Sequence, residues 1–438
     1  MADSFHSKHF ACLADGIFDG QKILSDAAVL VEGETIRAVV PADQVPAGWP
    51  VLTEPGAMII PGLIDAHVHF LRWEGPLYLA SGVTTVRDTG NDHEWILARR
   101  AEWKEHAWPR IFCVGPLIDG PKPSWPIGRA CADAEEGAKT VSEVAASGVD
   151  GIKLYAGLPP EWLPPMAEAA HAAGLPVSMH CQTSSAIAAG AAKVDEFHHL
   201  DGLADDLWPG RPPGWLEVWG HPEFPKMQDR QKAVADRIRA FGMIATPTLA
   251  YWDSRVRSAG PDYPPQEAAG LLPAKVSAWF SSACARQPDA AAQDTWRRAS
   301  EAARRFTGLL IEREVPILAG TDVPCEHIMP GTSLWREMSL LVQSGMTAEQ
   351  ALRSATSEPA RRLRMSHVGR LAAGFAADIV LVKGNVTGRI PESPDIRAVV
   401  RGGRLYRPAE LIAAAKTEDA DPLRDPMGIA FLKVAGKL

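Results

Sequence analysis

Two hydrophobic rhythms divide the chain. From about Phe10 to Ile60 the apolar stretches are short and strand-like. Ala27-Ala28-Val29-Leu30-Val31 and Ile36-Arg37-Ala38-Val39-Val40 flank the turn at Glu32-Gly33-Glu34, which reads as a hairpin. From Pro61 onward, β-branched runs alternate with helical stretches. The predicted strands are 61–69, 83–88, 110–114, 151–155, 177–180, 196–199, 243–247 and 316–320. An apolar lead-in, Ala57-Met58-Ile59-Ile60, makes the first of them a buried strand. Helices are predicted between them, at 94–106, at 134–146 and up to Ala173, where Gly174 stops the last. Eight strands separated by helical segments argue for parallel pairing with crossover helices, and so for a closed (β/α)8 barrel of the TIM type.

After predicted helices at 333–344 and 348–364, strand character returns in Ala377–Val382 and Ile396–Val400. These strands find partners in the small β layer begun by the N-terminus. The expected α/β architecture is therefore a (β/α)8 barrel, residues 61–366, with a β-sandwich built from residues 1–60 and 367–407. A tail, 408–438, is partly helical, and its role is not legible in the sequence.

Composition narrows the partners. The 438 residues are too many for one ordinary core and suit a large barrel with an attachment. A net charge of −8, without a long run of either sign, gives no reason to expect nucleic acid or an anionic membrane as partner. The six scattered cysteines form no Cys-x-x-Cys and no plausible disulfide scaffold. No signal peptide or membrane-spanning run is visible, so a cytoplasmic protein acting on a small molecule is expected, with a homo-oligomer as the one protein assembly left open.

Chemistry gathers at the C-terminal ends of the predicted strands, where barrel enzymes place their sites. Strand one ends in His67 and His69, which share a strand face. Strand four holds Lys153, strand five ends in His180, strand six in His199, and strand eight runs into Thr321-Asp322. Each has a bland reading alone: a core histidine, a rim lysine, a helix cap. Together they place four imidazoles, a lysine and a carboxylate at one barrel mouth. Strand alternation turns His198 away from the interior if His199 faces inward.

With these residues in place the chain resembles the metal-dependent amidohydrolase superfamily, in its imidazolonepropionase-like and prolidase-like branch. The motifs are Pro61-Gly62-Leu63-Ile64-Asp65-Ala66-His67-Val68-His69, Gly82–Asp88, Gly151-Ile152-Lys153, Ala169–Gly174 leading to His180, Ala319-Gly320-Thr321-Asp322 and Gly369–Asp378. The resemblance implies two divalent metal ions, usually zinc: His67, His69 and Asp322 on one, His180 and His199 on the other, and Lys153 bridging both as a carbamate. It also implies attack on a C–N bond by a hydroxide shared between the ions, with Asp322 as general base. Small amides such as N-acyl amino acids, dipeptides or aromatic carboxamides are the expected substrates. Alternatives are a mononuclear hydrolase or deaminase of a cyclic amide, a lactone or ester hydrolase, and a non-catalytic scaffold. Candidates for holding substrate are Tyr155, Arg129, Trp125, Tyr251 and His327. The loop Asp119–Pro126 lacks the histidine that many prolidase-like relatives carry there, which detaches the substrate from theirs. Tryptophans in the long loops after strands six and seven point to an aromatic or apolar substrate group.

Overall fold

The computed structural model describes residues 8–210, 214–257, 272, 274–283, 289–325, 328–417, 421–434 and 436. The predicted hairpin forms: Ala27–Glu32 pairs antiparallel with Thr35–Pro41. Its first strand also pairs with His9–Leu13, which pairs in turn with Val51–Thr53. A second sheet has the order Arg404–Tyr406, Ile396–Arg401, Ile379–Lys383, Ala57–Pro61, Gly16–Phe18, Ile23–Leu24. The two ends of the chain meet in it, with Ile379 opposite Pro61 and Lys383 opposite Ala57. Phe10, Val29, Ile59, Ile379 and Val400 close a core between the two sheets. Burying such side chains stabilises the layer by about 2 kcal/mol each.

The predicted first strand is in fact two. Ala57–Pro61 belongs to the sandwich sheet, and Leu63–Val68 opens the barrel. Gly62 sits between them because nothing larger fits: a Cβ there would lie 2.0 Å from Thr84 Oγ1.

Parallel ladders join Leu63–Val68 to Val83–Asp88 and that strand to Arg110–Cys113. The same run resumes as Leu117–Asp119, which meets Ile152–Leu154. Val177–His180, Glu196–His198 and Ile244–Thr246 follow in order. The eighth position is filled by irregular chain rather than a regular strand, with single bridges Ala245–Ile317 and Val68–Val323. Backbone hydrogen bonds tie it on both sides: Leu318 N–H to Ala245 O at 3.0 Å, Ala66 N–H to Ala319 O at 3.0 Å and Asp322 N–H to His67 O at 2.8 Å. The circuit of eight is thereby closed. Predicted helices are found at Ala134–Ala146, Leu163–Ala172 and Thr332–Gln343, while the 348–364 stretch divides into Ala348–Ser354 and Ser357–Arg362. Among the described residues the tail carries the helices Pro408–Thr417 and Pro426–Val434. Among the described residues no helix is long and apolar enough to cross a membrane.

Candidate active site

The first barrel strand ends with His67 and His69 both turned on Asp322. Their Nε2 atoms lie 3.2 and 3.3 Å from the same oxygen, Asp322 Oδ1. His69 Nδ1 donates to the Gly90 carbonyl at 2.7 Å. With Nδ1 so engaged, His69 turns Nε2 on the carboxylate oxygen, where a proton or a bound cation must sit between the two acceptors. Asp322 is aimed by its neighbours. Thr321 donates through its N–H and hydroxyl to the two oxygens of buried Asp65, at 3.1 and 2.7 Å. Asp65, one pleat before His67, thus orients the site from below.

Strands five and six supply the other side. The His180 and His199 rings lie 4.5 Å apart, and His199 lies 4.7 Å from His67. Thr248 donates its hydroxyl to Pro247 O at 2.8 Å, so its oxygen accepts from His199 Nδ1–H at 2.7 Å. That fixes the His199 tautomer and leaves Nε2 as a lone pair. His180 Nε2 faces Asp201 Oδ2 at 3.0 Å, and Gln182 donates to the same oxygen at 3.3 Å. Lys153 is buried, with Nζ 6.0 Å from the Tyr155 ring centre.

One expectation is corrected. His198 faces inward: its Nδ1 touches Lys153 Nζ, and its ring lies 4.3 Å from that of His67. The reason is local. His199 has φ 63°, so the chain leaves the extended conformation there and the pleat no longer alternates. Beneath His198, Arg87 grips Glu196 with two bonds of 2.7 and 2.8 Å, and Thr246 donates to Glu196 at 2.5 Å. A buried, bidentate pair of this kind is costly to break and holds strands two, six and seven in register.

Electrostatics suit cation binding. Burial lowers the pKa of His67 well below its ordinary value, with His198 adding to the effect, and takes His199 down to about 3. Burial likewise brings Lys153 down to about 7. For Asp322, burial acts upward, but His199, His67 and His69 outweigh it and hold the carboxylate well below its usual range. For His69, burial acts downward and Asp322 reverses it, so the ring is shifted up. The cluster therefore offers neutral imidazoles at His67 and His199, an ionised carboxylate and a lysine amine that deprotonates near neutrality. His67 Nδ1 is buried with no hydrogen-bond partner among the described residues. Donor atoms of His67, His199 and Asp322 all lie within 4.8 Å of one another. These residues fit a divalent cation.

A cavity of about 240 Å³ opens above this cluster. His67, His69, Lys153, His180, His199 and Asp322 all line it, as do Tyr155, Trp125 and Tyr251. Trp125 Nε1 donates to the Tyr155 hydroxyl at 2.9 Å. Arg129 is elsewhere: it is exposed and pairs with Glu143. His327 lies outside the described residues. Trp215 and Trp252, from the tryptophan-bearing loops singled out in the sequence, line the cavity as well, while His198, Thr248, Asp201, Gln182, Met427 and Phe431 were missed. The pair Gln182 and Asp201 each lies two residues past a site histidine, a spacing that could have drawn attention to them. Nothing in the sequence placed the tail residues Met427 and Phe431 at the mouth.

The sequence profile of the amidohydrolase family matches residues 78–408, three quarters of the chain. The chain belongs to the amidohydrolase family. The profile of the NagA composite domain matches residues 12–59. Imidazolonepropionase of Pseudomonas fluorescens (strain Pf0-1) is 38% identical over 63 residues, which is 14% of this chain and 15% of that one, so the likeness is local. The crystal structure of a Xaa-Pro dipeptidase with methionine bound in its active site is 20% identical, covering 91% of this chain and 100% of that one, with a TM-score of 0.66. A bottromycin amidohydrolase is 21% identical, covering 97% and 93%, with a TM-score of 0.72. At such identities these structures establish a shared fold. They bear out the expected barrel, and the family match bears out the resemblance read from the motifs.

Proposed function

We propose that this amidohydrolase is a binuclear metal-dependent enzyme that cleaves an amide C–N bond of a small molecule. His67, His69 and Asp322 would hold one divalent ion, zinc by the chemistry of its donors, and His180 and His199 a second. Lys153, carboxylated on Nζ, would serve both. The observation that carries the proposal is the convergence of buried Lys153 with His67, His69, His180, His199 and Asp322 on one cavity; burial also favours the neutral amine, the form that adds to carbon dioxide. When bound, the ions polarise the scissile carbonyl and acidify water at the site. Asp322, ionised and beside both His67 and His69, accepts the proton of the attacking water and returns it to the leaving nitrogen. The Tyr155 hydroxyl accepts from Trp125 and keeps its own proton to donate to the oxyanion. Buried thiols at Cys12, Cys113, Cys131 and Cys181 support a cytoplasmic setting.

A mononuclear reading has one observation in its favour: among the described residues, His67, His199 and Asp322 form a compact donor set. Lys153→Met separates the two. In the binuclear reading, elemental analysis of the purified variant finds about one ion where the wild type holds two, and amide hydrolysis is nearly abolished. Full activity with one ion bound would establish the mononuclear enzyme instead.

A further inference from the structure

The C-terminal segment, whose role the sequence leaves open, reaches the mouth of the barrel and is fastened there. Asp425 is 2% exposed. Its Oδ1 accepts from Arg72 Nε at 2.6 Å and its Oδ2 from Arg72 N–H at 3.1 Å. Arg72 NH2 also donates to the Arg424 carbonyl at 3.3 Å. Arg72 lies three residues beyond His69, so this clamp ties the tail to the loop that leaves the first barrel strand. A second fastening is apolar: Met427, Ala430 and Leu432 pack with Leu71, Trp73 and Leu77. A buried carboxylate held at both oxygens, and an apolar face on the helix that begins right after it, make a built seat, not a passing contact.

The clamp sets Met427 and Phe431 into the cavity wall. Phe431 meets Trp125 edge-on, with ring centres 4.9 Å apart, and Trp125 in turn donates to Tyr155. Trp215 and Trp252 line the cavity too, from the loops after strands six and seven. Aromatic faces therefore stand around a floor made of the histidine–lysine–aspartate cluster. Among the described residues lining the cavity, Lys153 is the one lysine or arginine.

We propose that residues 421–434 form the specificity wall of this active site, and that the substrate is an amide bearing an uncharged aromatic group, which packs against Phe431 and Trp125 while its carbonyl lies over the floor. This rests on the amide-hydrolase reading above and names its substrate class. Ring-to-ring and ring-to-methyl contacts of this kind reward an aromatic group over an aliphatic one of the same charge.

The test uses the full-length, metal-loaded enzyme and three amides: an N-acetylanilide, an N-acetylalkylamine and an N-acetyl amino acid with a free carboxylate. Both turnover and binding are measured, the latter by quenching of tryptophan fluorescence. The expected order of kcat/KM is anilide, alkylamide, carboxylate. In Phe431→Ala the anilide-to-alkylamide ratio falls about 10-fold or more through KM, and Phe431→Leu falls between. Asp425→Ala, which releases the clamp without touching the cavity, lowers the same ratio. Two metal equivalents in each variant show that the fold stands. A wild type that binds the anilide but hydrolyses none of the amides overturns the proposed reaction and leaves the wall in place. Preference for the carboxylate or alkylamide substrate, or an unchanged ratio in Phe431→Ala, overturns the wall and leaves the reaction in place.

Discussion

Each imidazole at the barrel mouth is useful only if the right nitrogen faces the cavity, and single hydrogen bonds decide that. Gly90 O holds His69 and Thr248 Oγ1 holds His199. Thr248→Val keeps the shape and removes the acceptor, so His199 loses its fixed tautomer. Metal affinity should fall about 10- to 100-fold, measured by competition with a chelator; unchanged affinity would mean that the ring is oriented by packing alone. Tyr155→Phe removes a donor and little volume. Its kcat should fall about 100-fold with KM nearly constant, while a rise in KM alone would make Tyr155 a binding residue. Tyr155 is a candidate from sequence, whereas the role of Thr248 is not visible there, since Thr248 is 49 residues from its histidine.

The segment that fills the eighth barrel position shows how close the elements must approach. Gly320 runs against the first strand and the seventh: a Cβ there would lie 2.7 Å from His67 Cβ and 2.8 Å from Thr246 Cγ2. Gly320→Ala should push His67 off its position at a cost of about 1–3 kcal/mol. Loss of bound metal together with a lowered urea midpoint checks this, and a variant with both unchanged would show that the strands can part. This segment is also where reading the sequence succeeds only in part. Pro316–Gly320 is apolar and strand-like, yet it makes single bridges, because the chain turns at Asp322, with φ 67°, to aim a carboxylate inward. Backbone bent for function in this way breaks the period on which strand recognition depends.

Burial on the scale of the entire barrel leaves some carboxyls protonated at ordinary pH. Glu337, on the helix Thr332–Gln343, accepts from Ala250 N–H at 2.6 Å and so holds the start of the helix that carries Tyr251 and Trp252. Burial raises its pKa from 4.5 to about 8. Between those values the folded protein keeps a proton that the unfolded chain has lost, so stability falls as pH rises through the window. Glu337→Gln should flatten that fall by roughly 2–4 kcal/mol between pH 5 and pH 8, read from urea midpoints at the two pH values. An unchanged slope would place the proton elsewhere.

Local sequence was enough to establish the alternating strands and helices, the return of the C-terminal strands to the N-terminal sheet, and the six polar residues at the strand ends. These follow from side-chain period and residue type, which act over a few positions. The split of the first strand at Gly62, the inward turn of His198, the distance of Arg129 from the cavity and the seating of Phe431 depend on contacts across the fold. Asp425 and Arg72, which fasten the tail, are 353 residues apart, and no pattern of neighbours along the chain records a bond that closes over such a span.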